Sequence, residues 1–226
     1  MRHAPTLALL VAVVSTLAVS AQRPAPHPMQ HDMDAVIKGS GQLPTGWKAR
    51  FDEPDAKLTA VEVKAEKDSL TVTSGPAAIY YKPTMTAAGD YELSATFSQL
   101  KPSTHPEAFG LFIAGNDLDR DTQRYTYFLV RQDGKFLVKS RNGANTTAIV
   151  DWTDAAALRD LKGVKTSNTL TIRAEGDNVR FLIGVKEVHH MTRAAAGGDG
   201  VAGIRVNHNL NVQVNKLALN KLNTPK

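Results

Sequence analysis

The sequence predicts an all-β chain folded as a two-sheet antiparallel sandwich of jelly-roll type. Three observations carry this. About a dozen short apolar or alternating segments follow one another between residues 59 and 219, turn signals rich in Gly, Asp and Asn separate them, and almost no stretch has a helical period. A parallel sheet would need crossover helices to cover it, and the chain supplies none.

The elements follow in order. Residues 59–65 alternate, with Ala60, Glu62 and Lys64 opposing Val61, Val63 and Ala65. Strands 69–73 and 77–82 follow, parted by Ser74-Gly75-Pro76, and 91–100 begins after Ala88-Gly89-Asp90. Residues 109–114 are apolar on both faces, which places that strand inside a sheet. Strands 125–131 and 135–141 flank Asp133-Gly134, and 146–151 follows Asn142-Gly143. The last group is 169–174, 178–183, 203–206 and 211–219, with turns at Gly176-Asp177 and Gly197-Gly198-Asp199-Gly200. Only 154–161 predicts a helical turn or two, with Thr153 or Asp154 as N-cap.

The ends read differently. Residues 1–21 have the form of an export signal: Arg2 and His3, then an apolar run over 7–19, then Val19-Ser20-Ala21 as a cleavage site. That run is short for a membrane span, so no span is expected after signal cleavage. Residues 22–42 read as a disordered Pro-rich leader, 43–220 as the sandwich and 221–226 as a fraying tail. With no Cys, the chain has no disulfides or thiolate metal sites and must be held by its core. Losing Arg2 takes the formal charge from +5 to +4, and the basic residues are dispersed, so nothing marks a nucleic-acid partner.

The hairpin RYTYFLVRQDGKFLVKSR (124–141) has two possible registers. A two-residue Asp133-Gly134 turn mixes charge with core on one face. A three-residue Gln132-Asp133-Gly134 loop, with Gly134 left-handed, puts Thr126, Phe128, Val130, Phe136 and Val138 on one face. It puts Tyr125, Tyr127, Leu129, Arg131, Leu137, Lys139 and Arg141 on the other. A one-residue slip is costly when one face is buried, so the three-residue loop is expected.

The stretches 89–100, 105–118, 124–143 and 200–214 resemble concanavalin A-like jelly-roll domains. They are nearest to the exported bacterial 3-keto-disaccharide hydrolase-like group, related to laminin-G and glucanase sandwiches. The resemblance covers residues 47–219. It implies a lectin- or glucanase-type sandwich that presents one sheet face to carbohydrate or glycoconjugate. A hydrolase or lyase on 3-keto-glycosides, or a structural or adhesive domain without small ligand, are the alternatives.

The expected ligand face comprises Tyr125, Tyr127, Arg131, Lys139, Arg141, Trp152, Arg205 and Asn207. Flat rings meet the C–H faces of sugars, while Arg and Asn bond the hydroxyls. The Glu-x-Asp-x-x-Glu strand motif of glucanases is absent; Glu62-Val63-Lys64-Ala65-Glu66 is nearest, with Lys in the place of Asp. For keto-glycoside elimination, a base and a cation that stabilises the enolate are needed, and His105, Glu107, Arg131 and Arg205 are the candidate types. Asp117, Asp119 and Asp121 alternate as in a calcium loop but lack the Gly and Glu of an EF-hand.

Overall fold

The computed structural model describes residues Met1, 33–158 and 167–223. The export signal and most of the leader lie outside the described residues. Among the described residues fourteen strands occur: β1 (Lys48–Phe51), β2 (Val61–Glu66), β3 (Ser69–Ser74), β4 (Ala78–Ala87), β5 (Tyr91–Gln99), β6 (Ala108–Asn116), β7 (Arg124–Arg131), β8 (Lys135–Asn142), β9 (Asn145–Asp154), β10 (Ser167–Glu175), β11 (Asn178–Ile183), β12 (Lys186–Thr192), β13 (Gly200–Val206) and β14 (Asn211–Lys221). They form two seven-stranded antiparallel sheets, one in the order β1-β4-β13-β6-β7-β8-β9 and the other β12-β11-β10-β5-β14-β3-β2. The sandwich predicted from sequence is the fold observed.

Alternation decides which side chains meet between the sheets. Phe109, Leu111 and Ile113 of β6 and Phe128 and Val130 of β7 share one core with Leu93, Ala95 and Phe97 of β5, Leu170 and Ile172 of β10, and Phe181 of β11. Phe128 meets Phe181 edge-on at 5.5 Å, and Phe97 stacks on Phe109 at 5.6 Å. The alternate residues of the first sheet form a second apolar cluster on its outward face: Ile79, Tyr81, Phe112, Tyr125, Tyr127, Leu129 and Leu137, with Leu118 folded back onto them from the β6–β7 loop. β6 is thus apolar on both faces, as its sequence predicts.

The outward face of the other sheet differs in kind. It carries short hydroxyls on β5 and β10, paired as Thr96–Thr169 at 2.8 Å and Ser98–Ser167 at 2.7 Å. Large apolar groups are concentrated on the first sheet's outward face.

The hairpin has the three-residue loop. Arg131 pairs with Lys135, Leu129 with Leu137 and Tyr125 with Arg141. Gly134 sits at φ 82° and its N–H returns to the Arg131 carbonyl at 3.1 Å, the left-handed closure such a loop requires.

Several expectations need correction. β1 and β12 were not expected, because KARF is short and KEVHHMT is polar on both faces, as an exposed edge strand can be. β4 continues past Lys82 to Ala87; Pro83 is tolerated because the pairing with β13 is irregular there, with a shift between Val201 and Gly203. The helical turn expected at 154–161 does not form in its described part. Thr153 and Asp154 end β9, and residues 155–158 make a turn closed by Leu158 N–H to the Ala155 carbonyl at 3.0 Å. The ladder of β9 with β8 takes up Thr153 and Asp154, the two residues expected to cap the helix. The described end of the leader is pinned: Ala35 N–H donates to Asn209 Oδ1 at 2.6 Å and Gly39 N–H to the Thr59 carbonyl at 2.9 Å. At the other end β14 runs to Lys221, the first residue of the expected tail.

Candidate functional site

Strand register assembles the site. On β13, Arg205 lies between Ile79 of β4 and Gly110 of β6. On β7 and β8, Tyr125 faces Arg141, and Tyr127 faces Lys139. Asp52 follows β1 directly and is anchored by its N–H to the Ala77 carbonyl at 3.0 Å. Its carboxylate joins the two groups of strands.

Arg205 is 6% exposed. Its Nη1 donates to Asp52 Oδ1 at 2.9 Å and to Tyr125 Oη at 3.2 Å, and its Nη2 donates to Asp52 Oδ2. This is the two-pronged guanidinium–carboxylate geometry that Lys cannot reproduce. Arg141 Nη1 donates to the same Asp52 Oδ1 at 2.8 Å, while its Nε donates to the Gly143 carbonyl at 2.9 Å. The Arg205 guanidinium also lies 4.9 Å from the centre of the Tyr127 ring. Two cations share one carboxylate, so the cluster is net positive.

The electrostatics follow from this packing. Burial would push the Asp52 carboxyl up, but the charge and hydrogen bonds of Arg205, with help from Arg141, hold it below the usual carboxylate value. Burial pushes the phenols of Tyr125 and Tyr127 up, and Arg205 offsets this only in part, so both remain O–H donors at neutral pH. A carboxyl depressed in the folded state contributes stability above its unfolded value, near pH 4, and that stability is lost as pH falls through the folded value. Urea unfolding over a pH series should therefore show stability declining below about pH 4, with a flatter decline in Asp52→Asn. An unchanged slope in that variant would show that Asp52 is not the group responsible.

The remaining predicted ligand residues line the neighbouring strands. Arg131 Nε donates to Asp133 Oδ1 at 2.7 Å, and its guanidinium stacks 4.1 Å from the centre of the half-buried Trp152 ring. Lys139 is half-buried and makes no ion pair with the described residues. Asn207 follows Arg205 on the same side of the chain. Its side-chain oxygen and the Nε of Arg205 are both buried without a hydrogen-bond partner. Tyr125 and Tyr127 are 3% and 5% exposed, so they underlie the guanidinium groups and do not stand clear as open stacking rings.

Other candidates lie elsewhere. His105 is exposed, and Glu107 pairs with His208, Oε1 to Nε2 at 3.0 Å. His208 also approaches Asp34 at 3.5 Å. The aspartates of the β6–β7 loop diverge: Asp117 turns to Arg124 at 3.7 Å, Asp121 to Arg50 at 3.1 Å, and Asp119 is exposed. Among the described residues no cluster of three or more acidic or His side chains could hold a metal ion.

Sequence reasoning missed Asp52. It stands in FDEPD, before a proline and outside any alternating run, and its partner Arg205 is 153 residues away. No local pattern could have paired them.

No protein-family model matches the chain, and no curated protein matches it in sequence. Solved structures do match. A carbohydrate-binding module, CBM66 from Bacillus subtilis, aligns with TM-score 0.58 at 11% identity, covering 78% of this chain and 96% of its own. A galectin-like protein of unknown function from Bacillus subtilis aligns with TM-score 0.56 at 11% identity over 77% and 89%. The exoplasmic/lumenal domain of VIP36, bound to calcium and mannose, aligns with TM-score 0.51 at 10% identity over 80% and 85%. The chain has a galectin-like, concanavalin A-type sandwich fold. Identity this low shows the fold and leaves the site to be argued from its own residues.

Proposed function

We propose that the protein is an exported carbohydrate- or glycoconjugate-binding sandwich that uses the outward face of the first sheet. The observation that carries this reading is the Asp52 carboxylate held by Arg205 and Arg141 over Tyr125 and Tyr127. It fixes two guanidinium groups as rigid donors on an apolar floor, the combination that receives sugar hydroxyls and C–H faces together. The Arg131–Trp152 stack borders the same face. Structural neighbours named as a carbohydrate-binding module and as a mannose-bound lumenal domain support both the ligand class and an exported location. Among the described residues no helix is long and apolar enough to cross a membrane.

A glycan array probed with residues 22–226 tests this. Binding to at least one glycan is expected, with Arg131→Ala and Trp152→Ala each weakening it by about ten-fold while far-UV circular dichroism stays unchanged. An array without a binder would refute the reading.

The Glu107–His208 pair favours one second reading, a hydrolase or lyase acting on 3-keto-glycosides. A His held by a carboxylate is a proton-transfer pair, and the net positive Arg205 cluster is a candidate for stabilising an enolate. Cleavage of a 3-keto-disaccharide that disappears in His208→Ala would support it; no cleavage by the wild-type protein would exclude it.

A further inference from the structure

We propose a second binding site, for small amphiphilic anions, in the groove between β4 of the first sheet and β3 and β14 of the other. The groove encloses about 460 Å³, within the range of small-molecule sites. Its lining divides sharply in character. Trp47, Leu70, Met85 and Leu217 supply apolar surface, and Lys67, Lys82 and Lys216 supply charge. Asp68 is the one acidic residue of the lining, so the groove is net positive by two (three Lys against one Asp). None of the three lysines lies within ion-pair distance of a carboxylate among the described residues.

The backbone places these lysines. Lys67 has φ 48° in the β2–β3 turn, and Lys216 has φ 54° at a bulge in β14, where the pairing with β5 shifts between Asn215 and Ala218. Glycine or asparagine suits such left-handed positions better than lysine. The two turns are tied together by Lys216 N–H donating to the Asp68 carbonyl at 3.0 Å. The third lysine sits over the indole, Lys82 Nζ being 5.4 Å from the centre of the Trp47 ring.

An apolar floor next to unneutralised ammonium groups selects a ligand with both characters. A neutral sugar leaves the lysines unpaired, and a fully hydrophilic anion leaves Trp47, Met85 and Leu217 uncovered. A short acyl or aromatic body bearing a carboxylate, sulfate or phosphate satisfies both. This site shares no residue with the Asp52 face, so either can fail without the other.

Octanoate, 1-octanol and glucuronate serve as probes. The chain has two tryptophans, so Trp152→Phe leaves Trp47 as the reporting fluorophore. Octanoate should change its emission saturably, weaken as salt rises, and bind about ten-fold more tightly than octanol or glucuronate. Lys67→Glu with Lys216→Glu should reduce octanoate affinity about ten-fold or more while circular dichroism is retained. In the wild-type protein, backbone amide signals of Lys67, Asp68 and Lys216 should shift on octanoate addition. No saturable change, equal binding of octanol or glucuronate, or indifference to the charge reversal would each overturn the proposal.

Discussion

Asp52→Ala should destabilise the protein by about 3–5 kcal/mol, the range seen when one partner of a buried ion pair is removed. Arg205, 6% exposed, would keep its charge beneath the surface with only Tyr125 Oη as a hydrogen-bond partner, and Arg141 would keep only the Gly143 carbonyl. The cost is that of uncompensated buried cations, not of a lost attraction between exposed groups. This makes a second, opposite expectation. Replacing the pair together, Asp52→Leu with Arg205→Met, should recover most of the stability, because well-packed apolar groups often equal or exceed a buried ion pair. The double variant should nevertheless bind no glycan. Chemical denaturation of the single and double variants checks the first part, and the array checks the second. If the double variant kept its glycan affinity, the network would be scaffolding alone.

Phe128→Ala is the other large effect, expected at about 3–5 kcal/mol. Phe128 is fully buried on β7, edge-on to Phe136 at 6.2 Å in its own sheet and to Phe181 at 5.5 Å in the opposite one. Removing it opens a cavity between sheets whose interdigitated side chains relax only in part. Because β7 also carries Tyr125, Tyr127 and Arg131 on its other face, loosening it should weaken ligand binding even though Phe128 does not line the ligand face. Phe128→Leu should cost much less, about 1–2 kcal/mol. A loss below about 1 kcal/mol for the Ala variant would show that the sandwich core closes around the void.

The hairpin shows why part of this was legible in the sequence. Two registers were possible, and only one kept Arg131, Lys139 and Arg141 away from Phe128 and Val138; the observed pairing is that one. Local alternation and a turn residue sufficed because the strands adjoin in sequence. The same logic grouped Tyr125, Tyr127, Arg131, Lys139 and Arg141. It could not reach Asp52, because a sandwich brings β1 near β13 through pairings that the chain order does not announce. Nor could it foresee that the tyrosines would be buried under the arginines: alternation shows which face a ring occupies, not what covers it. The edge strand β12, with Lys186, Glu187, His189 and His190, lacked the apolar period that marks a half-buried strand. The Asp117–Asp119–Asp121 run shows the converse, since its alternating carboxylates are drawn outward to Arg124 and Arg50 by pairings across loops.

The most direct test of the central claim is a titration of the arginine-labelled protein with a glycan from the array, following the Nε–Hε signals of Arg131, Arg141 and Arg205. These signals should shift together and saturably, while that of Arg173, on the outward face of the other sheet, stays fixed. A glycan that binds while all three signals remain unmoved would contradict the assignment of the ligand face.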